Sequence, residues 1–225
     1  PMNSSAASDV YKRQAIIPTY NESGNINNIL ENIQDLSIKF DVIVVDDNSP
    51  DGTGDIIKDF IVKKKFNINI SLIERKVKDG LGSAYIEGFQ KAISLNYKFI
   101  FQIDCDGSHN PKKLVEMKKT LVNDSDIVVG SRYIKGISVL HWPLPRLLLS
   151  IFANYYVKFI TGMKVNDSTG GFNGYSREAL ESILKNKITF QGYAFQIQMK
   201  FIGYKLGFKI KEIPIIFKDR DCLLY

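Results

Sequence analysis

The sequence is poor in the residues that build disulfide frameworks and zinc sites. Its 225 residues include two cysteines and two histidines. Cys105 and Cys222 are not part of a C-x-x-C motif, and no cluster of histidines accompanies them. This composition excludes a structural zinc site and a disulfide-stapled fold. The scarcity of cysteine fits a protein of a reducing compartment, and we expect a cytoplasmic location.

Long apolar runs and a dinucleotide fingerprint are also missing. The longest uncharged apolar stretch in the second half, 147–157, is too short to span a bilayer, and no signal peptide is evident. No G-x-G-x-x-G follows the first predicted strand, which disfavours a dinucleotide-binding oxidoreductase. The hydrophobic share of 44% and the charged share of 24% are those of a globular domain. The net charge of +6 favours an anionic partner without choosing among nucleotide, nucleic acid and lipid surface.

Both chain ends differ from the rest. Residues 1–14 are polar and aperiodic, and residues 221–225 end the chain without a stop signal for any element. Both segments resemble translated adapter sequence, so we expect the natural protein to be truncated at both ends. They are excluded from fold prediction, which leaves 15–220 as a single domain.

Buried-strand patterns alternate with amphipathic-helix patterns along this domain. The predicted strands are 15–20, 41–45, 69–74, 99–104, 126–130 and 209–217. This alternation predicts an α/β sandwich with a mostly parallel sheet. From Trp142 onward the chain becomes helical, beginning with an aromatic-rich helix over 146–161. That helix suits either a bilayer surface or a core position against the sheet, because both need an apolar face.

Polar residues follow four of the predicted strands. They are Tyr20-Asn21-Glu22, Asp46-Asp47, Asp104-Cys105-Asp106 and Ser131-Arg132. Ligands of parallel sheets bind beyond the carboxyl ends of the strands, so we expect one shared site.

The Asp104 and Asp106 pair is the strongest single candidate in that site. Hard cations such as Mg²⁺ and Mn²⁺ bind carboxylates together with substrate phosphates. We therefore interpret the pair as a D-x-D clamp for Mg²⁺ or Mn²⁺; the alternative is an ordinary solvated turn. His109 is interpreted as a loop residue rather than a metal ligand.

Eight motifs, in this order, resemble those of family 2 glycosyltransferases, and among these the polyprenyl-phosphate sugar synthases. They are P-T-Y-N-E (18–22), D-D-N-S-P-D-G-T (46–53), R-x-x-K-x-G-L-G (75–82), D-C-D (104–106), G-S-R-Y (130–133), T-G-G-F (169–172), G-Y-A-F-Q (192–196) and F-x-D-R (217–220). The first and the D-x-D are shared widely in the family. The second and third are specific to the polyprenyl-phosphate group. The resemblance implies a GT-A (Rossmann-like) fold, with residues 15–133 binding a nucleotide sugar and an amphipathic half, 134–220, facing acceptor and membrane.

The resemblance also implies roles for individual residues. Positions around the nucleotide match Pro18, Tyr20, Glu22, Val45, Asp47 and Cys105. Asp104 and Asp106 match the metal ligands, and Arg132 and Arg220 match phosphate-binding positions. We expect all four to be catalytic. Arg75 and Lys78 suit a loop that closes over phosphates, or alternatively a basic surface loop. For Glu22, a helix-capping role is an equal alternative.

The implied reaction is the metal-dependent, inverting transfer of a hexose, typically mannose from GDP-mannose, to a polyprenyl monophosphate such as dolichyl phosphate. The enzyme would contact the cytoplasmic face of a membrane peripherally and would not bind nucleic acid. The alternatives are a UDP-glucose donor, a saccharide acceptor, or a truncated module that binds a nucleotide sugar without turnover.

Two departures from the family pattern bear on activity. A phosphate-binding lysine that follows the Asp-Arg pair is replaced here by the 221–225 segment. A family glutamate is replaced by Gln198. Both predict a weaker hold on the acceptor phosphate.

Overall fold

The computed structural model describes residues 12–63 and 67–219. Its strands are β1 (Arg13–Thr19), β2 (Asp41–Asp46), β3 (Ile70–Glu74), β4 (Phe99–Gln102), β5 (Ile127–Ser131), β6 (Val139–Leu140), β7 (Asn173–Ser176), β8 (Ile210–Pro214) and β9 (Phe217–Lys218). Its helices are α1 (Ile26–Gln34), α2 (Thr53–Lys63), α3 (Leu81–Ser94), α4 (Lys113–Asn123), α5 (Leu144–Thr161), α6 (Arg177–Leu184) and α7 (Gly192–Lys205).

Seven strands form one twisted layer in the order β3-β2-β1-β4-β7-β5-β8. All neighbouring strands are parallel except at β7, which is antiparallel to both β4 and β5. β6 and β9 pair separately as a small parallel ribbon. The predicted mostly parallel sheet flanked by helices is confirmed.

Helices cover both faces of the sheet, which is why β1, β2 and β4 contain the uninterrupted apolar runs 15–18, 42–45 and 99–101. α1, α2 and α4 contribute to one buried cluster, and α3, α6 and α7 contribute to the other. In β2, Val42 and Val44 face the first cluster while Ile43 and Val45 face the second. Burying each such side chain stabilises the fold by about 1.5–3 kcal/mol.

α3 lies unusually close to the sheet because Gly88 has no side chain. A Cβ on Gly88 would lie 2.4 Å from Cγ2 of Ile16 and 3.2 Å from Cγ2 of Val45. This close approach places the first turn of α3 at the carboxyl ends of β1 and β2.

β7 is the strand of the main sheet that sequence patterning missed; the short β6 was not predicted either. Its residues, Asn173 to Ser176, include types that are depleted in strands. The reason for them is tertiary: a Cβ on Gly174 would lie 2.6 Å from the Phe101 ring on β4. Because β7 is antiparallel, its first residue lies at the edge where β4 and β5 end.

The prediction of a single last strand over 209–217 is wrong, because this range contains two separate strands. β8 stops at Pro214, and β9 begins at Phe217 and pairs with β6 instead of the main sheet. The direction change carries Phe217 and Asp219 to the carboxyl end of the sheet, beside Trp142.

The first strand begins two residues earlier than the predicted start at residue 15. Arg13 and Gln14 pair with β4 inside β1, and they are 5% and 1% exposed. The remainder of the predicted tail up to residue 11, together with residues 220–225, lies outside the described part of the chain.

α5 is exposed along nearly its whole length. It ends at Gly162, whose φ of 69° is left-handed, and Asn154 is its one buried residue. Its exposed apolar side chains include Leu149 (69%), Phe152 (68%) and Phe159 (85%). The alternative of a core helix packed against the sheet is therefore wrong. None of the helices in the described part of the chain combines the length and apolar character needed to cross a bilayer.

Candidate active site

Asp104 and Asp106 lie just beyond β4, at the wall between two cavities. Oδ1 of Asp104 accepts a hydrogen bond of 2.9 Å from the Tyr85 hydroxyl of α3. Asp106 Oδ1 accepts the backbone N–H of Ser108 at 3.0 Å, which turns the chain after the pair. Burial and the nearby Asp104 charge raise the pKa of Tyr85 well above its usual value, so Tyr85 remains a donor.

The cavity on the β1 and β2 side, here called the Tyr20 cavity, has a volume of about 430 Å³. Six of the predicted nucleotide residues line it together with the carboxylate pair: Pro18, Tyr20, Glu22, Asp47, Lys78 and Cys105. The Lys78 ammonium lies 3.7 Å from the centre of the Tyr20 ring. This wall therefore combines an aromatic face, a cation and two buried acids.

Two predicted nucleotide residues do not line the cavity. Val45 is fully buried in the sheet core. Arg75 is only 10% exposed and contacts three carboxylates, of which Asp47 is the nearest at 2.7 Å. Burial raises the pKa of Asp47, and the Arg75 charge offsets part of that rise. Arg75 thus orients Asp47, while Lys78 is the basic residue of this loop that reaches the cavity.

Residues of the D-D-N-S-P-D-G-T motif support the cavity wall through hydrogen bonds to β1 and to the loop after it. Asp46 accepts a hydrogen bond of 2.7 Å from the Thr19 hydroxyl. The Thr53 hydroxyl accepts the backbone N–H of Glu22 at 3.0 Å, and Asp51 accepts the N–H of Ser23 at 3.0 Å. These bonds tie the loop after β1 to the loop after β2.

Glu22 lies at the candidate site. It is 5% exposed and lines the Tyr20 cavity. Its carboxylate accepts a 2.7 Å bond from the Asn25 side chain, just before α1. That donor is a side-chain amide, whereas a helix cap accepts a backbone N–H, so the capping role stays a prediction.

Gly80 and Gly82 of the G-L-G motif make room for a protein side chain. Gln191 Oε1 accepts the Gly82 N–H at 2.9 Å from a position 109 residues away in sequence. A Cβ on Gly80 or Gly82 would lie 2.7 or 2.8 Å from that oxygen. Gln191 occupies the space beside the two glycines and holds the first turn of α3. Within this loop, the expected contact with phosphates therefore depends on Lys78, which lines the Tyr20 cavity. Leu81, between the glycines, borders both cavities.

The second cavity, here called the Trp142 cavity, has a volume of about 330 Å³ and lies on the β5 side of the carboxylate pair. Its wall includes Arg132, Trp142, Arg146, Gln196, Phe217 and Asp219. The guanidinium of Arg146 lies 4.3 Å from the centre of the Trp142 ring and 2.5 Å from Asp219. Sequence patterning placed Arg146 only at a helix end, since its cavity position depends on the turn of the chain at β9.

Arg132 is 4% exposed and is bound by Asp167. Its Nε and one terminal nitrogen donate to Asp167 at 2.7 and 2.6 Å, and the same terminal nitrogen donates to Thr169 at 2.9 Å. Burial opposes ionisation of Asp167, but the contacts with Arg132 outweigh it and lower the pKa of Asp167. Arg132 therefore lines the cavity as a charge that is already paired. The other predicted arginine, Arg220, lies outside the described residues.

The loop from Asp167 to Phe172 is anchored by a buried lysine. Lys200 of α7 is fully buried and donates to the backbone oxygens of Ser168 and Gly170 at 3.2 and 2.7 Å. Burial lowers the pKa of Lys200 to about 7. No sequence signal distinguished this lysine, because its partners are carbonyl groups from a distant loop.

Gln198 has a local structural role. Its Oε1 accepts the backbone N–H groups of Thr189 and Phe190, both at 3.1 Å, and its Nε2 donates to the Lys187 oxygen at 3.0 Å. Gln198 does not line the Trp142 cavity. The expected weaker phosphate hold stays a prediction for this position.

The donor set at the carboxylate pair fits a hard divalent cation. Asp104 is 31% exposed, and both carboxylates border the two cavities. Within residues 12–63 and 67–219, no group of three or more His, Cys, Asp or Glu side chains forms a closed metal cage. Mg²⁺ and Mn²⁺ are commonly held by one or two carboxylates and completed by substrate phosphates, which matches an open pair.

Comparisons with known proteins agree with this architecture. The model of glycosyl transferase family 2 matches residues 14–184. A polyprenol monophosphomannose synthase from Mycolicibacterium smegmatis is 36% identical over 206 residues, covering 92% of this chain and 77% of the relative. An undecaprenyl-phosphate mannosyltransferase from Micrococcus luteus is also 36% identical over 206 residues, covering 92% and 83%.

Solved structures show the same fold. A mannosyltransferase from Pyrobaculum calidifontis in complex with GDP-Man and Mn²⁺ has a TM-score of 0.67 at 17% identity, over 96% of this chain and 59% of that chain. Glucosyl-3-phosphoglycerate synthase from Mycobacterium tuberculosis in complex with Mn²⁺, UDP and its product has a TM-score of 0.63 at 18% identity, over 94% and 72%. The fold is GT-A.

Proposed function

The chain belongs to glycosyl transferase family 2, and on that premise we propose that this glycosyltransferase moves mannose from GDP-mannose to a polyprenyl monophosphate. One observation carries the proposal: two cavities of different chemistry share a wall formed by Leu81, Asp104 and Asp106. A donor in the Tyr20 cavity and an acceptor in the Trp142 cavity would meet at that wall. The names of the two curated relatives support the choice of sugar and acceptor.

The Tyr20 cavity suits the nucleotide. Its aromatic ring and buried acids match a base and ribose, which offer a flat face and N–H or O–H donors. Lys78 supplies positive charge for the diphosphate. Mg²⁺ or Mn²⁺ held by Asp104 and Asp106 would neutralise charge on the departing diphosphate.

The Trp142 cavity suits the acceptor phosphate. Arg146 is 40% exposed and borders the cavity, so an entering phosphate can compete with Asp219 for its guanidinium. Arg132 lines the same cavity and is held in place by Asp167, which already pairs its charge. A phosphate monoester has a second pKa of about 6, so it is largely a dianion at neutral pH. It therefore enters as a nucleophile that needs no protein base. Direct attack from this side on the anomeric carbon inverts its configuration.

The exposed face of α5 would rest on the membrane surface that holds the acceptor. Its aromatic and aliphatic side chains suit the interface, and Arg146 and Lys158 flank them. This orientation would place the Trp142 cavity, which Arg146 of α5 borders, near the lipid headgroups. The proposed location is peripheral, at the cytoplasmic face.

A transfer assay tests the proposal. Radiolabelled GDP-mannose or UDP-glucose is incubated with a polyprenyl phosphate in detergent, with Mg²⁺, Mn²⁺ or a chelator. We expect metal-dependent mannose label in the lipid phase for the wild type, and loss of it in Asp106→Asn. Asp55→Asn is the matched control, because that side chain is 87% exposed on α2 and lines neither cavity.

The other outcomes separate the alternatives. Transfer of label from UDP-glucose would identify UDP-glucose as the donor in place of GDP-mannose. Label found only in an added saccharide would identify a saccharide as the acceptor, and that reaction would require a general base. Nucleotide-sugar binding without any transfer would leave a non-catalytic binding module.

A further inference from the structure

His109 lies three residues after the carboxylate pair and is 3% exposed. Its ring stacks on Phe172 at a centroid distance of 4.9 Å and meets the edge of Phe217 at 5.4 Å. These two aromatic contacts fix the plane of the imidazole. The orientation of its nitrogens relative to Asp104 is therefore set by packing.

The Nδ1 atom of His109 is buried and has no hydrogen-bond partner among residues 12–63 and 67–219. It lies 3.7 Å from Oδ2 of Asp104. The other oxygen of the same carboxylate already accepts the Tyr85 hydroxyl at 2.9 Å. Leaving a buried polar nitrogen unpaired is unfavourable, so this position calls for a partner that the ring can reach.

Asp104 Oδ2 is the acceptor within reach. An ionised carboxylate can only accept hydrogen bonds. The neutral tautomer with a hydrogen on Nδ1 is therefore attracted to Asp104. The other neutral tautomer would direct the Nδ1 lone pair at a carboxylate lone pair, which is repulsive. The imidazolium form carries a hydrogen on both nitrogens. Nδ1 thus presents a hydrogen to Asp104 in either charge state.

We propose that His109 is a positioning residue for the carboxylate pair: its Nδ1–H donates to Asp104 Oδ2 and, with Tyr85 on Oδ1, holds the carboxylate in the orientation that binds a divalent cation. The inference rests on the metal site of the proposed function. A shift of less than 1 Å would bring the present 3.7 Å separation into hydrogen-bond range. Such outer partners commonly change metal affinity about 10–100-fold when removed.

The experiment separates the donor from the ring. His109→Phe keeps an aromatic ring against Phe172 and Phe217 but has no N–H. His109→Asn keeps a donor near the Nδ1 position but loses the ring, and His109→Leu lacks both. Mn²⁺ affinity is measured by electron paramagnetic resonance of the free ion, with GDP present and without acceptor or turnover. Thermal unfolding is measured without metal.

We expect His109→Phe to weaken Mn²⁺ binding about tenfold with little change in the unfolding temperature. His109→Asn should unfold at a lower temperature, yet bind Mn²⁺ more tightly than His109→Leu. Tyr85→Phe removes the observed bond to Asp104 and should weaken binding in the same way as His109→Phe.

Two results would overturn the inference. One is wild-type Mn²⁺ affinity in His109→Phe while Tyr85→Phe is weakened. The other is equal affinity in the Asn and Leu variants, which also decides the question if His109→Phe fails to fold. Failure of the metal site itself is distinguishable, because Asp106→Asn would then bind Mn²⁺ as the wild type does.

Discussion

Lys200 should make the stability of this protein depend on pH above neutrality. The side chain is fully buried, and its neighbours include Asp167 and Glu212, which raise its pKa, and Arg132, which lowers it. Burial dominates and lowers the pKa to about 7 from the usual 10.5. The ammonium therefore loses its proton more easily in the folded protein than in the unfolded chain.

The sign and size follow from proton linkage. Between pH 7 and pH 10.5 the unfolded chain binds more protons at this site, so the free energy of unfolding rises with pH across that window. Below pH 7 both states are protonated and the burial penalty is fully present. A single group gives a slope of at most about 1.4 kcal/mol per pH unit, or about 5 kcal/mol over the whole shift.

The substitution Lys200→Met removes the titrating group and keeps a long unbranched side chain. It also leaves the carbonyls of Ser168 and Gly170 without their donor, a cost of about 1–3 kcal/mol for each group that does not vary with pH. Relative to the variant, the wild type should therefore gain up to about 3 kcal/mol of stability between pH 7 and pH 9.

Urea unfolding followed by circular dichroism at several pH values measures this difference. Lys205→Met is the matched control, because Lys205 lies on the same helix and is exposed. Its difference from the wild type should be constant over the same range. A constant difference for Lys200→Met as well would refute the reasoning, because it would show that the folded protein leaves this pKa unchanged.

Three further predictions concern the two cavities and the exposed helix. Asp167→Asn leaves the Arg132 charge buried without its partner. We expect the free energy of unfolding in urea to fall by about 3–5 kcal/mol. A fall of less than about 1 kcal/mol would show that the ion pair does not anchor Arg132. Gln191→Ala leaves the buried Gly82 N–H at the start of α3 without its acceptor, and we expect a loss of about 1–3 kcal/mol in urea unfolding together with a higher KM for the nucleotide sugar. A KM change confined to the acceptor would contradict that assignment. Phe159→Ser removes an aromatic side chain that is 85% exposed on α5. A smaller fraction of the variant should sediment with anionic vesicles, while its circular dichroism spectrum stays the same. Unchanged sedimentation would argue against α5 as the membrane contact.

The local patterns of the sequence were sufficient for strands β1 to β5 of the main sheet and for the carboxylate pair. A parallel strand buried on both faces is mostly apolar, so β2 and β4 are visible in the sequence as short apolar runs. Acids directly after such strands must lie at the carboxyl edge, so the meeting of Asp47 with Asp104 and Asp106 at one cavity followed from topology alone. These features depend on residues that are close in sequence.

What the tertiary structure decided depends on contacts between distant segments. The Asn-Gly-Tyr-Ser segment becomes β7 because Gly174 admits the Phe101 ring, and the glycines beside Leu81 admit Gln191. Likewise, the partners of Lys200 are carbonyl groups 30 and 32 residues away. The fold class, the edge of the sheet that carries the site and the acids that form it were predictable from local patterns. Only the three-dimensional packing decided which charges are already paired and which still face a cavity, because hydrogen-bond partners and burial are properties of the assembled chain.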